Sequence, residues 1–304
     1  NIDYKPIRYI SFAHDEDTYK ALEASKAWSK AEMIAPKQFR EEISPYFNPK
    51  PRKYLSALAT EDCWQATPGK VVDLVRNIGV SAGGTVLEDC RVIEAVKEGK
   101  YTSVLVLTHD QKYIEYRTEH FVNALGSGAG KLCDSMGIDA GLYPVRHQAF
   151  ITRRLPMLGK NGSNLDMLID RQNYKGFSAV YGQQIAYTGQ IIGCASPKLD
   201  AMRIDKNLKI NTKAFLEIVS EMFVEWLPRL SGVGIQAVWS GYYTEPRYIV
   251  DPELGLFVGM RGHGFMLAQY IARMYVDKLL GRPVPEYFDK LKLHAPGLSE
   301  SAFK

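Results

Sequence analysis

Apolar and polar positions follow two periods along this chain, and the switch between them is sharpest near its C-terminal end. Gly255-Leu256-Phe257-Val258-Gly259 is a short apolar run, Gly262-His263-Gly264 follows, and an amphipathic segment continues to Leu280. Leu267, Ile271 and Met274 share a face, with Phe265, Ala268, Ala272 and Tyr275 beside it; Gln269, Arg273 and Asp277 form the polar side. Gly281 and Pro283 provide the stop. The pattern predicts a buried strand ending in a glycine-rich turn that opens directly into a helix. Glycines there let backbone N–H groups approach a ligand. The helix adds roughly half a positive charge at its N-terminus, so the junction suits an anion, or a ring that becomes anionic when it reacts. An isolated Gly-x-Gly is equally an ordinary tight turn.

Upstream, Asn1 to Pro51 reads as polar and helix-rich, with a long helix from Asp15 to Lys30 on Ala21, Leu22, Ser25 and Trp28. Thr67 and Pro68 introduce a second helix, with Val71, Val72, Leu74 and Val75 as its packing face. Short strands follow: Thr85 to Leu87, Cys90 to Val96, and Ser103 to Thr108, which turns at His109-Asp110 into Tyr113 to Tyr116. From Pro144 to about Trp239, segments at Arg146–Ile151, Met167–Asp170, Phe177–Gln184 and Gln190–Cys194 read as an antiparallel sheet. Asn211 or Thr212 then caps a helix running to Trp226 on a stripe of Leu216, Val219, Met222, Phe223 and Trp226. Tyr287, Phe288, Leu291 and Leu293 suggest a short terminal helix or arm.

The 304 residues, 46% hydrophobic and 24% charged, are those of a globular protein with ample core. A net charge of +4, evenly spread, argues against nucleic acid or a membrane surface as partner. No apolar run approaches the ~18 residues of a membrane span. Cys63, Cys90, Cys133 and Cys194 are scattered without ligand spacing, which points to reduced thiols in a cytoplasmic protein and to no metal. The run from Gly126 to Lys131 invites a phosphate-loop interpretation, but Leu125 stands where the first glycine belongs and Leu132 where a Ser or Thr belongs. A nucleotide-triphosphate module is excluded on that ground.

Trp239-Ser240-Gly241-Tyr242-Tyr243-Thr244, then Gly259-x-x-Gly262-His263-Gly264-Phe265, resembles the C-terminal signature of the FAD-dependent amine oxidoreductases: D-amino-acid oxidase, glycine oxidase and sarcosine oxidase. His120 through Gly126, Gly137-Ile138 and Tyr143 through Gln148 resemble the same family's middle signature, and Thr67-Pro68 through Val92 adds a weaker match. The ordered set covers most of the chain from Glu61 to Gly281.

The resemblance implies a mixed α/β fold: an FAD-binding domain of the two-domain, glutathione-reductase-like type with an antiparallel-sheet substrate domain. In those terms residues 1–60 border the substrate domain. The FAD-binding domain takes 61–143 and 239–281, the substrate domain 144–238, and a tail 282–304. The family's N-terminal dinucleotide-binding βαβ unit, with its G-x-G-x-x-G, has no counterpart in this sequence. A fragment is the expectation; a partner chain supplying the unit is the other way to complete the sheet.

The implied activity is oxidation of a C–N bond in a small amino acid or secondary amine, by hydride transfer to flavin, giving an imine. FAD would contact Val92, Ala124, Gly126, Ser127, Trp239, Gly241, Gly262, His263, Gly264, Phe265 and Met266. Arg261 could stabilise the charge that develops on the ring, although Val92 also reads as a core valine and Arg261 as a solvated arginine. A substrate carboxylate calls for a guanidinium fork and a tyrosine; Arg146, Arg171, Arg247 and Arg261 are the available arginines and Tyr181 and Tyr187 the tyrosines, with Arg146, Arg261, Tyr181 and Tyr187 as the candidates. No cysteine stands near Gly241-Tyr242, so FAD is expected to be non-covalent. The lysines of sarcosine oxidases are also missing, with Met266 at one position, so oxygen and an electron carrier both remain open as acceptor. Thr244 is followed by Glu245-Pro246-Arg247, where the family often carries an aspartate. These departures keep alive a second hypothesis, a non-catalytic relative serving as an assembly or structural subunit.

Overall fold

In the computed structural model, residues 2–50, 53–172, 174–175, 177–197 and 212–294 are described. In chain order the elements are β1 (Lys5–Ala13), α1 (Glu16–Ser25), β2 (Ala31–Ile34), α2 (Phe39–Glu42), β3 (Ser56–Gln65), α3 (Pro68–Ser81), β4 (Arg91–Glu98), β5 (Tyr101–Leu107) and β6 (Tyr113–Thr118). They continue with α4 (Ala129–Ser135), β7 (Tyr143–Arg154), β8 (Met167–Asp170), β9 (Phe177–Gln184), β10 (Gln190–Pro197), α5 (Thr212–Trp226), β11 (Ile235–Glu245), β12 (Ile249–Asp251), β13 (Leu256–Val258) and α6 (Gly264–Leu279). Two compact units result. The first combines Asn1–Asp73 with Arg146–Gly241, the second Leu74–Val145 with Tyr242–Lys304.

An eight-stranded sheet, order β11-β7-β10-β9-β8-β1-β3-β2, organises the first unit. The pairs β10–β7, β10–β9, β9–β8, β1–β3 and β2–β3 are antiparallel, whereas β1 and β8 run parallel through Tyr9↔Met167 and Ile10↔Leu168. One sheet face carries α5, whose Phe215, Val219, Met222, Phe223 and Trp226 pack with Phe150, Val180 and Ile191. Around Trp226 the rings of Phe12, Phe39, Phe47 and Tyr54 stack and tilt against one another. Within this apolar cluster the Trp226 indole donates to the Tyr54 hydroxyl at 2.9 Å, which in turn donates to the buried Asp170 carboxylate at 2.7 Å. A carboxylate in so dry a place requires such partners.

The second unit holds a three-stranded antiparallel sheet, β4-β5-β6, and the β12–β13 pair. Ala95, Val104 and Val106 pack with Leu132 of α4, and Tyr248 and Val250 pack with Ile271, Met274 and Tyr275 of α6. Phe288 and Leu291, in a terminal 3-10 turn (Glu286–Leu291), close that cluster, as the apolar spacing of the tail predicts.

Three local expectations change. The first fifty residues are not mainly helical. Ile7, Ile10 and Phe12 instead place β1 inside the sheet, between β8 and β3. The helix that follows stops at Ser25, and Trp28 stands 91% exposed, so the stripe assigned to it buries nothing. Thr85–Leu87 forms no strand, and α3 buries none of its residues, Val71 and Val72 included. Asn211 lies outside the described residues.

Candidate functional site

The turn before α6 is built by β-pairing. Ile249, Val250 and Asp251 of β12 pair antiparallel with Val258, Phe257 and Leu256 of β13. On its other side β13 meets Asn123 in parallel: the Asn123 N–H donates to Gly255 O at 2.7 Å, and the Phe257 N–H donates to Asn123 O at 3.0 Å. Parallel pairing aligns the carboxyl ends of two segments distant in sequence. Ala124, Gly126 and Ser127 therefore leave their segment on the same side as Gly259 through Gly264. Asn123 is fully buried, and its amide holds the first turn: Nδ2 donates to Ala129 O at 3.0 Å, and Oδ1 accepts from the Leu125 N–H at 3.3 Å. Gly126 has φ +54°, with open space where a Cβ would stand.

On the other turn, residues 243–248 grip residues 259–263 point by point. At Gly259, φ +74°, a Cβ would lie 1.9 Å from the Arg247 carbonyl oxygen. At Gly262 it would lie 2.8 Å from the Tyr243 ring, and at Gly264 3.0 Å from Met260 Cβ. The sequence leads one to expect glycine at 262 and 264 so that a ligand can approach; the chain's own Tyr243 and Met260 also stand close at these two positions. Arg261 is left-handed at φ +48°, and its Nε lies 2.5 Å from Glu245 Oε2, the two side chains being 12% and 6% exposed. The Tyr248 hydroxyl and His263 Nδ1 are 2.5 Å apart. Beyond the turn α6 begins without a side-chain cap and without an acid in its first turn, while Phe265 and Met266 are about half exposed. The sixteen-residue helix thus presents the positive end of its dipole at Gly264 with no acidic side chain in its first turn.

The remaining predicted residues divide between the units. Val92 is half-buried in β4 opposite Val106, within the second unit. Trp239 and Gly241 lie on β11 in the first unit, with the indole partly exposed and no atom within 4 Å of a Cβ built on Gly241. Tyr181 on β9 pairs with Cys194 of β10, which also pairs with Ala149 of β7. Burial pushes the Cys194 thiol up to about 11, against the opposing hydrogen bond of Tyr181. Arg146 lies two residues before Gln148 on β7 and so shares its face and that of Phe150, whereas Tyr181 shares the face of Ala149. Tyr187 sits in the turn between β9 and β10, with Lys5 Nζ 5.6 Å from its ring centroid. Along the hairpin that is on the order of 25 Å from the level of Arg146, at ~3.3 Å per residue. The structure thus does not gather Arg146, Tyr181 and Tyr187 at one point.

A cavity of about 540 Å³ in the first unit, lined by Lys5, Arg8, Trp64, Gln65, Asn164 and Asp166 among others, includes none of the three. Its arginine is already engaged: Arg8 Nε and Nη2 lie 3.0 and 2.7 Å from Asp166 Oδ2. Sequence reasoning missed the gripping residues Tyr243, Glu245 and Tyr248. The one available signal was that their segment departs from the expected pattern.

The family model described as "DAO: FAD dependent oxidoreductase" matches residues 1–278. Among solved structures, L-proline dehydrogenase from P. horikoshii is similar at 22% identity and TM-score 0.76, covering 96% of this chain and 77% of that one. Glycine oxidase from Geobacillus kaustophilus is similar at 15% identity and TM-score 0.78, covering 98% and 77%. The FAD-bound L-α-glycerophosphate oxidase from Mycoplasma pneumoniae is similar at 16% identity and TM-score 0.72, covering 98% and 78%. At these identities the likeness establishes the fold. No curated protein matches the sequence. Among the described residues no helix is long and apolar enough to cross a membrane, and no group of three or more His, Cys, Asp or Glu could hold a metal ion.

Proposed function

The chain belongs to the FAD-dependent oxidoreductase family, and from that premise we propose that it oxidises a C–N bond of a small amino acid or secondary amine to an imine, which water then hydrolyses. The observation that carries this is the parallel pairing of Asn123 with Leu256. It sets the Ala124–Ser127 turn beside the Gly259–Gly264 turn at the carboxyl ends of paired segments, where ligands of α/β sheets bind.

The residues fit FAD. An uncapped helix end without acids suits the electron-rich edge of its ring, and the open space at Gly126 admits close backbone approach. When bound, the flavin supplies the electron sink for a hydride leaving the carbon next to nitrogen. Amides of Gly264 and Phe265 would donate to the ring edge that gains charge, with Met266 beside them in the same turn. Ala124, Gly126, Ser127 and Val92 would meet the rest of the cofactor, with Gly262 bordering it. Tyr181 is the substrate contact we favour, because its hydroxyl stands on a sheet face with small neighbours, Ala149 and Cys194. The titles of two similar structures name an imino acid and an amino acid as substrates, L-proline and glycine, in support of the amine class. A third names glycerophosphate, so the fold alone does not select nitrogen. Oxygen or a carrier would take the electrons away.

Anaerobic titration tests this. Yellow absorbance near 450 nm, a property of oxidised flavin in general, is expected to bleach on adding glycine, sarcosine or proline. Bleaching by α-glycerophosphate alone would reassign the substrate to an alcohol. Bound flavin that no amine bleaches would favour the non-catalytic relative, for which the separation of Arg146 from Tyr187 already speaks.

A further inference from the structure

Arg261 reads from the sequence as a charge offered to substrate or flavin. The structure gives it a partner within the chain. Its guanidinium meets a buried carboxylate, Glu245, at 2.5 Å, and its backbone holds a left-handed conformation that L residues adopt reluctantly. Three further contacts bind the same two segments: Tyr243 against Gly262, the Arg247 carbonyl against Gly259, and Tyr248 on His263. Together they fix where the first turn of α6 points.

We infer that Glu245 and Arg261 form a positioning pair for the mouth of α6: the ion pair holds the turn, and Arg261 cancels the Glu245 charge beside the flavin-binding edge. Neither residue touches substrate. The inference rests on the flavin reading above for its electrostatic half only. A buried carboxylate left without its arginine would oppose the negative charge a reduced flavin gains; an arginine left without its carboxylate would favour it. The two single substitutions should therefore move the flavin midpoint potential in opposite directions. A pair that merely held the fold would move both the same way.

The variants are E245Q, R261G and the double E245Q/R261G. Glycine suits φ +48° at position 261, so R261G removes the side chain without adding backbone strain. E245Q is expected to raise the potential, R261G to lower it, and the double variant to return near wild type while remaining loosely bound. Flavin dissociation constants should rise roughly 10- to 100-fold in each variant, the scale of one lost charge-assisted hydrogen bond, with R261K restoring part of the loss. Hydrogen exchange at the amides of Gly262 through Leu267 gives a readout that needs no flavin, and it should quicken in both single variants while the sheet amides of β4–β6 stay protected.

Potentials shifting in one common direction would overturn the charge-cancelling role. A raised KM in R261G, with flavin affinity and exchange unchanged, would return Arg261 to the substrate and overturn the pair. If the wild type retains no flavin, the functional proposal fails and the pair does not: unchanged exchange in E245Q would then overturn the pair, and faster exchange would sustain it.

Discussion

Gly259→Ala isolates what the turn before α6 demands. Two costs add at this position. The φ of +74° costs an L residue about 1–2 kcal/mol. The new Cβ would also lie 1.9 Å from the Arg247 carbonyl oxygen, far inside contact distance, and that oxygen belongs to a backbone pinned by neighbouring β12 and by the Arg247 guanidinium on the Leu293 carbonyl. Overpacking of this kind costs about 1–3 kcal/mol, so about 2–5 kcal/mol in total is expected. Gly137→Ala is the control. Its φ is +70°, in the same unit, but nothing stands within 4 Å of the added carbon, so only the backbone cost applies. Urea unfolding should show Gly259→Ala destabilised by clearly more than Gly137→Ala. The flavin-to-protein ratio should fall sharply in the first and stay near wild type in the second, because the two segments can separate only by displacing the mouth of α6. Equal unfolding midpoints in the two variants, or full flavin content in Gly259→Ala, would refute the claim that this contact sets the turn.

Tyr54→Phe removes the donor to the buried Asp170 carboxylate and strands the buried Trp226 N–H. With about 1.5–3 kcal/mol for a hydrogen bond to a charge and about 1–3 kcal/mol for the orphaned donor, a loss of about 2.5–6 kcal/mol should appear in urea unfolding followed by tryptophan fluorescence. Tyr275 behaves differently, since its buried hydroxyl has no hydrogen-bond partner and burial raises its pKa to about 12, with Asp251 contributing. The folded protein keeps this proton where the unfolded chain, near 10.0, has released it, so stability should fall as pH rises from about 10 to about 12, by about 2 kcal/mol. Tyr275→Phe should abolish that share of the alkaline loss and leave stability at pH 8 unchanged or improved, as alkaline unfolding titrations of the two proteins would show. Cys194, its thiol raised to about 11 by burial, should resist alkylation by iodoacetamide at pH 8 in the folded protein and react on unfolding.

How much of this was legible in the sequence depended on whether a residue's partner was local. The strand alternation of β7, β9 and β10 and the stripe of α6 are local, and the structure reproduces them. Ile7 and Ile10, three apart across a register shift between Ile7 and Tyr9, break the alternation that marks a strand, and so β1 is not legible in this way. The apolar face of α3 is real as a pattern, but its residues are exposed. In the site, the glycines were visible in the sequence, whereas the close approach of Tyr243 to Gly262 and of Met260 to Gly264 was not. No spacing rule links Glu245 to Arg261, because β12, β13 and the intervening turn bring them together. The separation of Arg146 from Tyr187 was hidden for the same reason, since the β7–β10 register decides the level each occupies along the strands.

The Asn123–Leu256 bridge also has a consequence for biosynthesis. Its two residues are 133 positions apart (256 minus 123), and the first unit's second half is made in between. On a ribosome adding ~5–20 residues per second, the Asn123 segment waits on the order of ten seconds with its hydrogen-bonding edge bare. An open edge of that kind recruits whatever strand arrives first, so the nascent polypeptide is most exposed to mispairing before Leu256 emerges from the exit tunnel.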